Sequence, residues 1–385
     1  MIIRKMSIAL ALTGAIAAPA LAQDLKIGFV TTLSGPAGYF GQDARDAFNL
    51  AIEHGGGTLG GAKINLLVED DAVKPGQGKQ IADRFLKGEG VKLFTGIIFS
   101  NVAAAIVPDI LEGGGTYVSL NAAPSELAGK ECNKNYFVMS WQNDSLHESA
   151  GANATRLGFK KAYLVAPNYQ AGKDAIAGFK RFFKGEIVGE VYTVLNATDY
   201  AAEIARVRAS DADMVFHFLP GGAGIAFARQ YAAAGLKLPQ VVSGASADSV
   251  IVKAVGEPLL GTAVSAQWSS DLDNPVNKKF VEDFQKKYGR MPSQWAAQSY
   301  DTALGIASAL KANGGKFETN AFRAALAKAD FQLTRGPFKF GPNQHPVQDW
   351  YAMKVVKSDA GDFVLKLDQK ILSNHTDVYG KDCKM

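Results

Sequence analysis

The sequence contains few of the residues that hold metal ions or build disulfide frameworks. Its 385 residues include two cysteines, Cys132 and Cys383, and five histidines. There is no C-x-x-C motif and no cluster of histidine and cysteine with zinc-binding spacing. The composition therefore argues against a structural zinc site, and we expect neither a metal nor any other cofactor.

Long apolar runs are missing after the N-terminal segment. In that segment, Arg4 and Lys5 precede an apolar stretch at residues 8–18, and the triplet "ALA" stands directly before Gln23. The stretch is shorter than the ~20 apolar residues that a membrane span needs. We therefore interpret residues 1–22 as a cleaved secretory signal peptide rather than an anchor, and we expect the mature protein in the periplasm.

The sequence has no block of basic residues. Its formal net charge is +4, and removal of Arg4 and Lys5 with the signal peptide lowers this to +2. A nearly neutral chain without basic clusters is not typical of nucleic-acid binding, so we expect no nucleic-acid partner. We expect a monomer.

The two cysteines are a lone pair in a chain that we expect to be exported. In an oxidising compartment, such a pair favours a disulfide between Cys132 and Cys383, which would tie the C-terminal tail to the body of the protein. Two free thiols are the alternative, because a sequence does not give the distance between the two Cα atoms.

Strands and helices alternate through most of the chain. The strand-like segments "LKIGFVTTL", "AKINLLVED", "VKLFTGIIF" and "TYVSL" are separated by helical patterns. The alternation restarts at "KAYLVA" and continues through "IVGEVYTV", "DMVFHFL", "PQVVSG" and "GTAVSAQ". This pattern predicts an α/β fold with two Rossmann-like lobes, each built on a parallel central sheet. Helical patterns at 274–288, 293–312 and 319–328 follow, and the segments "GPFKF", "WYAMKVV" and "DFVLKLDQK" then predict short antiparallel strands.

The strand ends do not supply the residues that catalysis needs. Ser100 follows a strand, but it lacks the flanking glycines of a nucleophile elbow. His217 lies inside the apolar segment "MVFHFL", and His147 has no evident orienting partner. Because no nucleophile, base and orienting group can be combined, we do not expect an enzyme.

Ser100 and Asn101 suit the start of the helix that follows the third strand. They could cap that helix, or its free N–H groups and dipole could bind a carboxylate, and the two roles are compatible. Aromatic residues also occur near the strand ends, where they could form either a ligand pocket or ordinary core. These aromatic residues are Tyr39, Phe40, Phe99, Trp141, Tyr169 and Trp295.

Several segments resemble one known family across essentially the whole mature chain. They are "LKIGFVTTLSGPAGYFGQDARDAFNLAI", "VEDDAVKPGQGKQIADRFL", "GIIFSN", "NAAPSELAG" and "QSYDTALGIASAL". They resemble the periplasmic solute-binding proteins of branched-chain amino acid-type ABC transporters, the leucine/isoleucine/valine-binding-protein-like family. The resemblance implies a type I periplasmic binding fold with two lobes joined by three crossings. It also implies a ligand held between the lobes and hinge closure that delivers the ligand to a membrane permease.

With this resemblance, the chain divides into a signal peptide, two lobes and a tail. We predict the signal peptide at 1–22, the first lobe at 23–140 plus 268–350, the second lobe at 141–267 plus 351–372, and a C-terminal tail at 373–385.

The residues that bind leucine in this family are only partly matched. In leucine-binding members, a Ser after the third strand and a Thr after the fourth hold the carboxylate, and an acidic residue of the second lobe holds the ammonium. Ser100 matches the first position, whereas Ala123 stands at the second, where Asn121 is an alternative contact. Ala245 or Ser246 stands at the acidic position, and Asp248 could reach back only with a different loop. A buried ammonium without a charged partner is costly, so the match disfavours an α-amino acid.

We therefore predict a small carboxylate-bearing ligand without an ammonium group, an aromatic acid of the benzoate or hydroxycinnamate type. Tyr169, Gln170 and Asn121 could serve its ring hydroxyl or its carboxylate. The alternatives are a branched-chain or other apolar amino acid, an amide, and, less favoured, a ligand-sensing domain. The predicted ligand-binding residues are Tyr39, Phe40, Phe99, Ser100, Asn101, Asn121, Ala122, Ala123, Trp141, Tyr169, Gln170, Pro220, Ala245 and Trp295.

Overall fold

The structure, a computed structural model, describes residues 24–385. The predicted signal peptide lies outside these residues. Within them, no helix is both long enough and apolar enough to cross a membrane.

Six strands form the first sheet. They are β1 (Leu25–Thr31), β2 (Thr58–Leu59), β3 (Ala62–Asp70), β4 (Leu93–Thr95), β5 (Thr116–Ser119) and β6 (Tyr136–Val138). Their order across the sheet is β2-β3-β1-β4-β5-β6, and every neighbouring pair is parallel except β2 with β3. Strands β4 to β6 are buried along their whole length, as expected for a parallel sheet covered on both faces.

Eight strands form the second sheet. They are β7 (Lys161–Pro167), β8 (Glu186–Thr193), β9 (Met214–His217), β10 (Gln240–Ser243), β11 (Ala263–Ala266), β12 (Phe338–Phe340), β13 (Pro346–Lys357) and β14 (Phe363–His375). Strands β7 to β11 pair in parallel, whereas β12, β13 and β14 add an antiparallel extension next to β11. The predicted α/β class, the two parallel sheets and the antiparallel end are thus confirmed.

Eleven helices cover the two sheets. They are α1 (Gly38–His54), α2 (Pro75–Asp83), α3 (Ser100–Glu112), α4 (Asn143–Arg156), α5 (Gln170–Phe182), α6 (Ala201–Ala209), α7 (Gly222–Ala233), α8 (Ser249–Val255), α9 (Pro275–Tyr288), α10 (Gln294–Ala312) and α11 (Thr319–Ala327). The Ser299 hydroxyl on α10 donates to the Ala44 carbonyl on α1 at 2.7 Å, and the Tyr288 hydroxyl on α9 donates to the Asp46 carbonyl at 2.8 Å. Helices α9 and α10 therefore return to the first lobe, and the chain crosses between the lobes three times.

Helix α4 is almost entirely buried although its sequence is polar. It packs against α5 at a distance that two glycines permit. A Cβ atom on Gly151 would lie 2.4 Å from the Phe179 carbonyl oxygen, and one on Gly178 would lie 2.3 Å from the Asp144 carbonyl oxygen. The close approach holds the N-terminal end of α4 at the face of the second lobe that meets the first.

The strand pairing bears on the lobe boundary that we predicted after residue 350. That boundary falls inside β13, one continuous strand, and β12 also pairs in the second sheet. The chain has therefore returned to the second sheet before residue 350, because β12 and β13 form an antiparallel hairpin. Strand β14 ends at His375, so the predicted tail at 373–385 begins as strand. The other lobe limits stay predictions.

The C-terminal tail contacts both lobes. Cys383 forms a disulfide with Cys132, with the Cα atoms 5.6 Å apart, which confirms the predicted bond. The Tyr379 hydroxyl donates to the Asp144 carboxylate on α4 at 2.8 Å. In the loop between β12 and β13, the Asn343 amide donates to the Asp377 carboxylate of the tail at 3.0 Å.

Loss of the disulfide should lower the thermal stability. The bond closes a loop with a sequence separation of 251 residues, for which the chain-entropy model gives about 5.5 kcal/mol in the free energy of unfolding, and removal of native disulfides typically costs about 2–5 kcal/mol. We expect reductant to lower the melting temperature of the wild-type protein and to leave that of the double variant Cys132→Ser, Cys383→Ser unchanged. Identical melting of the oxidised wild type and the double variant would contradict this prediction.

Candidate ligand-binding site

A cavity with about 400 Å³ of empty space, part of it open to solvent, lies between the two lobes. It sits at the carboxyl ends of the parallel strands, where open α/β sheets place their ligands. It is lined by Phe40, Ile98, Phe99, Ser100, Asn121, Ala122, Trp141, Asn143, Leu146, His147, Tyr169, Ala171, Phe218, Pro220, Ala245 and Trp295.

Ten of the fourteen predicted ligand-binding residues line this cavity. The other four do not. Asn101 donates from its side-chain amide to the Val73 carbonyl, and the Ala123 N–H donates to the Asn143 side chain. Tyr39 and Gln170 direct their polar groups to buried carboxylates, described below. Whether any of the fourteen contacts a ligand stays a prediction.

Ser100 is the first residue of α3, and its side chain does not cap the helix. The N-cap is Phe99, in extended conformation, and no side chain caps this end. The Ser100 hydroxyl instead accepts a hydrogen bond from the Asn143 amide at 3.0 Å. Self-capping by Ser100 or Asn101, one of the two expected roles, is therefore wrong, and the hydroxyl proton of Ser100 remains available to an acceptor in the cavity.

Four helices begin at the cavity. Ser100, Asn143, Ala171 and Trp295 line it, and each lies in the first turn of its helix: α3, α4, α5 and α10. The backbone N–H groups of Ser100 and Asn101 donate to no other residue in 24–385. Free N–H groups and aligned helix dipoles make this end of the cavity favourable for an anion.

The side-chain amide of Asn121 is already engaged. It donates to the Ile98 carbonyl at 2.6 Å and accepts from the Gln298 amide at 2.7 Å. One of the two amide N–H groups of Asn121 is therefore used by the Ile98 carbonyl, and its oxygen is used by Gln298.

No charged side chain lines the cavity. Ala245 occupies the position where leucine-binding relatives are expected to carry an acid. Asp248 does not reach back, because its carboxylate caps α8 through the N–H groups of Val250 and Ile251. The cavity thus contains no fixed partner for an ammonium group.

Aromatic rings form two walls. From the first lobe, the Phe40 ring lies 4.3 Å from the Trp295 ring, and the Trp141 ring lies 5.8 Å from the Trp295 ring, centroid to centroid. From the second lobe, the Tyr169 ring stacks on the Phe218 ring at 6.4 Å. A flat apolar ligand would contact rings on both sides.

Sequence reasoning missed six lining residues: Ile98, Asn143, Leu146, His147, Ala171 and Phe218. Asn143, Leu146 and His147 lie on α4, a helix that the apolar periodicity did not reveal. The sequence did contain one signal for the start of α4. Gln142 is its N-cap residue, and the Gln142 side chain accepts a hydrogen bond from the Ser145 N–H.

Two buried carboxylates of the second lobe accept hydrogen bonds from the first lobe beside the cavity. Asp248 accepts from the Tyr39 hydroxyl at 2.6 Å and from the Trp295 indole N–H at 2.9 Å. Asp174 accepts from the Ser125 hydroxyl at 2.6 Å and from the Ser125 N–H at 3.2 Å. These hydrogen bonds cross the interface between the lobes and stabilise its closed form.

Asp174 also accepts hydrogen bonds from its own lobe. The Asn143 amide donates to it at 2.9 Å and the Gln170 amide at 2.8 Å. Burial, together with the nearby Asp144 charge, nevertheless raises the pKa of Asp174 to about 6, and burial likewise raises the pKa of Asp248 to about 6.

No group of three or more histidine, cysteine, aspartate or glutamate side chains within 24–385 could hold a metal ion. The cavity offers hydrogen-bond donors and aromatic surface.

A model of the periplasmic binding protein family matches residues 24–361. The chain belongs to the periplasmic binding protein family. Its fold is that of a type I periplasmic binding protein, and its relatives are of the branched-chain amino acid type, which confirms the family inferred from the sequence motifs.

Three similar proteins cover nearly all of this periplasmic binding protein. A Leu/Ile/Val-binding protein homologue of Brucella melitensis is 29% identical over 374 residues, or 93% of this chain and 94% of the relative. A solute-binding protein of an R. palustris ABC transporter, solved in complex with benzoate, is 28% identical with a TM-score of 0.88, covering 94% of this chain and 100% of that one. One from Rhodopseudomonas palustris BisB5, in complex with 3,4-dihydroxybenzoic acid, is 28% identical with a TM-score of 0.86, covering 92% and 99%.

The raised pKa of Asp174 should give a measurable pH dependence of stability. Between its ordinary pKa of 3.8 and about 6, the folded protein keeps a proton that the unfolded chain has released. The stability contributed by Asp174 therefore falls as the pH rises through this window and is constant above it. We expect the free energy of unfolding of the wild type, minus that of Asp174→Asn, to be about 2 kcal/mol larger at pH 4.5 than at pH 7.

Glu318 supplies a control of opposite sign for that measurement. It is exposed, and hydrogen bonds from the Asn320 and Ala321 N–H groups lower its pKa. Its contribution is therefore lost as the pH falls, and the stability of the wild type relative to Glu318→Gln should decrease on acidification. A difference between wild type and Asp174→Asn that grows with rising pH would contradict the assignment for Asp174.

Proposed function

We propose that this protein captures a small aromatic carboxylate, of the benzoate or hydroxycinnamate type, between its lobes and delivers it to the membrane subunits of an ABC importer. The observation that carries the proposal is a buried cavity with aromatic walls, free N–H donors and no charged side chain. We further propose that the protein acts in the periplasm after export, as a monomer and without chemical conversion of the solute.

The carboxylate of the ligand would be held by the start of α3. The Ser100 hydroxyl can donate to it, because Asn143 already donates to the Ser100 oxygen and thereby orients it. The free N–H groups of Ser100 and Asn101 add donors, and hydrogen bonds to an ionised acceptor are stronger than those between neutral groups. A carboxylate can thus be bound without a cationic side chain.

The ring of the ligand would lie between the two aromatic walls. Phe40, Trp141 and Trp295 on one side, and Tyr169 and Phe218 on the other, offer ring faces and edges. Burial of aromatic surface contributes most of the binding free energy of such a ligand. The similar R. palustris proteins, solved with benzoate and 3,4-dihydroxybenzoic acid, support this class of ligand.

An apolar amino acid is the second candidate. The name of the Brucella melitensis relative, a Leu/Ile/Val-binding protein homologue, favours it. The cavity disfavours it, because an ammonium group would be buried with no carboxylate among the lining residues.

A thermal-shift screen should separate the two candidates. We expect benzoate or a hydroxylated benzoate to raise the melting temperature, with a stabilisation of about 2.7 kcal/mol at a hundredfold excess over Kd, and leucine to have no effect. The shift should shrink in Ser100→Ala, which lacks one donor to the carboxylate. If leucine or isoleucine stabilises the protein and no aromatic acid does, the proposed ligand class is wrong.

Closure of the lobes should contribute to affinity independently of contacts with the ligand. Tyr39 does not line the cavity, but its hydroxyl bonds across the lobes to Asp248. We expect Tyr39→Phe to weaken binding of the aromatic acid about fivefold, mainly through faster dissociation, because the closed form loses one hydrogen bond of about 1 kcal/mol. Stopped-flow dissociation of the acid from each variant measures this.

Tyr288→Phe is the matched control, because its hydroxyl bonds to the Asp46 carbonyl within the first lobe. It should leave the dissociation rate unchanged. Equal dissociation rates in the wild type and in Tyr39→Phe would show that the bond to Asp248 does not hold the lobes together.

A further inference from the structure

His147 is a buried polar residue without a partner at the cavity. Its side chain lines the cavity and is 1% exposed. Neither ring nitrogen hydrogen-bonds to another residue in 24–385, and Nδ1 is fully buried. A buried imidazole without a hydrogen-bond partner lowers the stability of the folded protein, because it has lost its hydrogen bonds to water and gained none in return.

The surroundings of His147 keep its ring neutral and fixed. It packs edge-on against the Phe218 ring at 4.7 Å and against the Phe216 ring at 5.8 Å, centroid to centroid. Burial lowers the pKa of His147 to about 3. A neutral imidazole has one donor and one acceptor nitrogen, so it can bond to a hydroxyl without adding charge to the cavity.

The position of His147 on α4 sets its distance from the carboxylate end of the cavity. Asn143, which bonds to Ser100, is four residues earlier, so both side chains lie on one face of the helix. Four residues of α-helix advance by about 6 Å. The separation suits a single six-membered ring with a substituent at each end.

Tyr169 is a second polar residue of the cavity lining and lies beside Phe218. Its ring stacks on Phe218, which His147 also contacts, and its hydroxyl bonds to no other residue of the described chain. A ligand hydroxyl here could donate to the acceptor nitrogen of His147 and accept from the hydroxyl of Tyr169.

We propose that His147 determines specificity by accepting a hydrogen bond from a ring hydroxyl opposite the carboxylate, so that the preferred ligands are 4-hydroxylated benzoates. This inference rests on the proposed function and adds to it the substituent that the cavity selects. A ligand without that hydroxyl leaves the imidazole unpartnered, and sites built to bond a hydroxyl discriminate strongly against analogues that lack it.

Isothermal titration of three ligands tests the proposal. Benzoate, 4-methylbenzoate and 4-hydroxybenzoate share the carboxylate, and only the last can donate to His147. We expect the wild type to bind 4-hydroxybenzoate at least about tenfold more tightly than the other two. In His147→Phe, which keeps an aromatic ring of similar shape, the preference for 4-hydroxybenzoate over benzoate and 4-methylbenzoate should disappear.

The outcomes separate this inference from the proposed function. If the wild type binds all three acids equally, or if His147→Phe weakens all three equally, the role of His147 is wrong and aromatic-acid capture stands. If no aromatic acid binds, the proposed function fails and the inference fails with it.

A measurement on the wild type covers the case in which the variant does not fold. In ¹⁵N NMR spectra of the imidazole groups, 4-hydroxybenzoate should shift one ring nitrogen of His147 and benzoate should not. Identical His147 spectra with the two ligands would overturn the proposal.

Discussion

The side-chain amide of Asn143 connects the two lobes at the cavity. Its nitrogen donates to Ser100 of the first lobe and to Asp174 of the second, and its oxygen accepts from the Ala123 N–H of the first lobe. The orientation of the Ser100 hydroxyl, the position of the Asp174 carboxylate and the start of α4 all depend on this one group. Because both of its N–H groups and its oxygen are used, Asn143 fixes the geometry around Ser100 when the lobes are closed.

The protein separates its buried charge from its cavity. Carboxylates are buried near the cavity, and they are held in two ways. Asp43 pairs with Arg290 and Asp144 with Arg181, whereas Asp174 and Asp248 accept hydrogen bonds from neutral donors. The cavity itself keeps only neutral donors, helix ends and rings. No carboxylate is in direct contact with the cavity, so a zwitterion would find no anionic partner among the lining residues.

The sequence allowed the α/β class, both parallel sheets, the Ser100 end of the cavity and most of its aromatic walls to be predicted, because these follow from apolar periodicity and strand ends. It did not reveal α4. The buried residues of that helix are mostly polar or small and pack closely against α5, so the helix shows no apolar stripe. His147 was hidden for the same reason. Tyr39 and Gln170 were expected to contact the ligand, but the Tyr39 hydroxyl bonds to Asp248, which is 209 positions later in the sequence, and the Gln170 amide bonds to Asp174, which is one helical turn later.

The C-terminal tail has a mechanical consequence for the opening of the lobes. It is attached to the first lobe by the bond to Cys132 and to the second lobe through Tyr379 and Asp144, beside the first crossing between the lobes. The last residues of the chain therefore connect the two lobes outside the cavity, and a separation of the lobes at this side would have to break the Tyr379–Asp144 bond or pull the tail along.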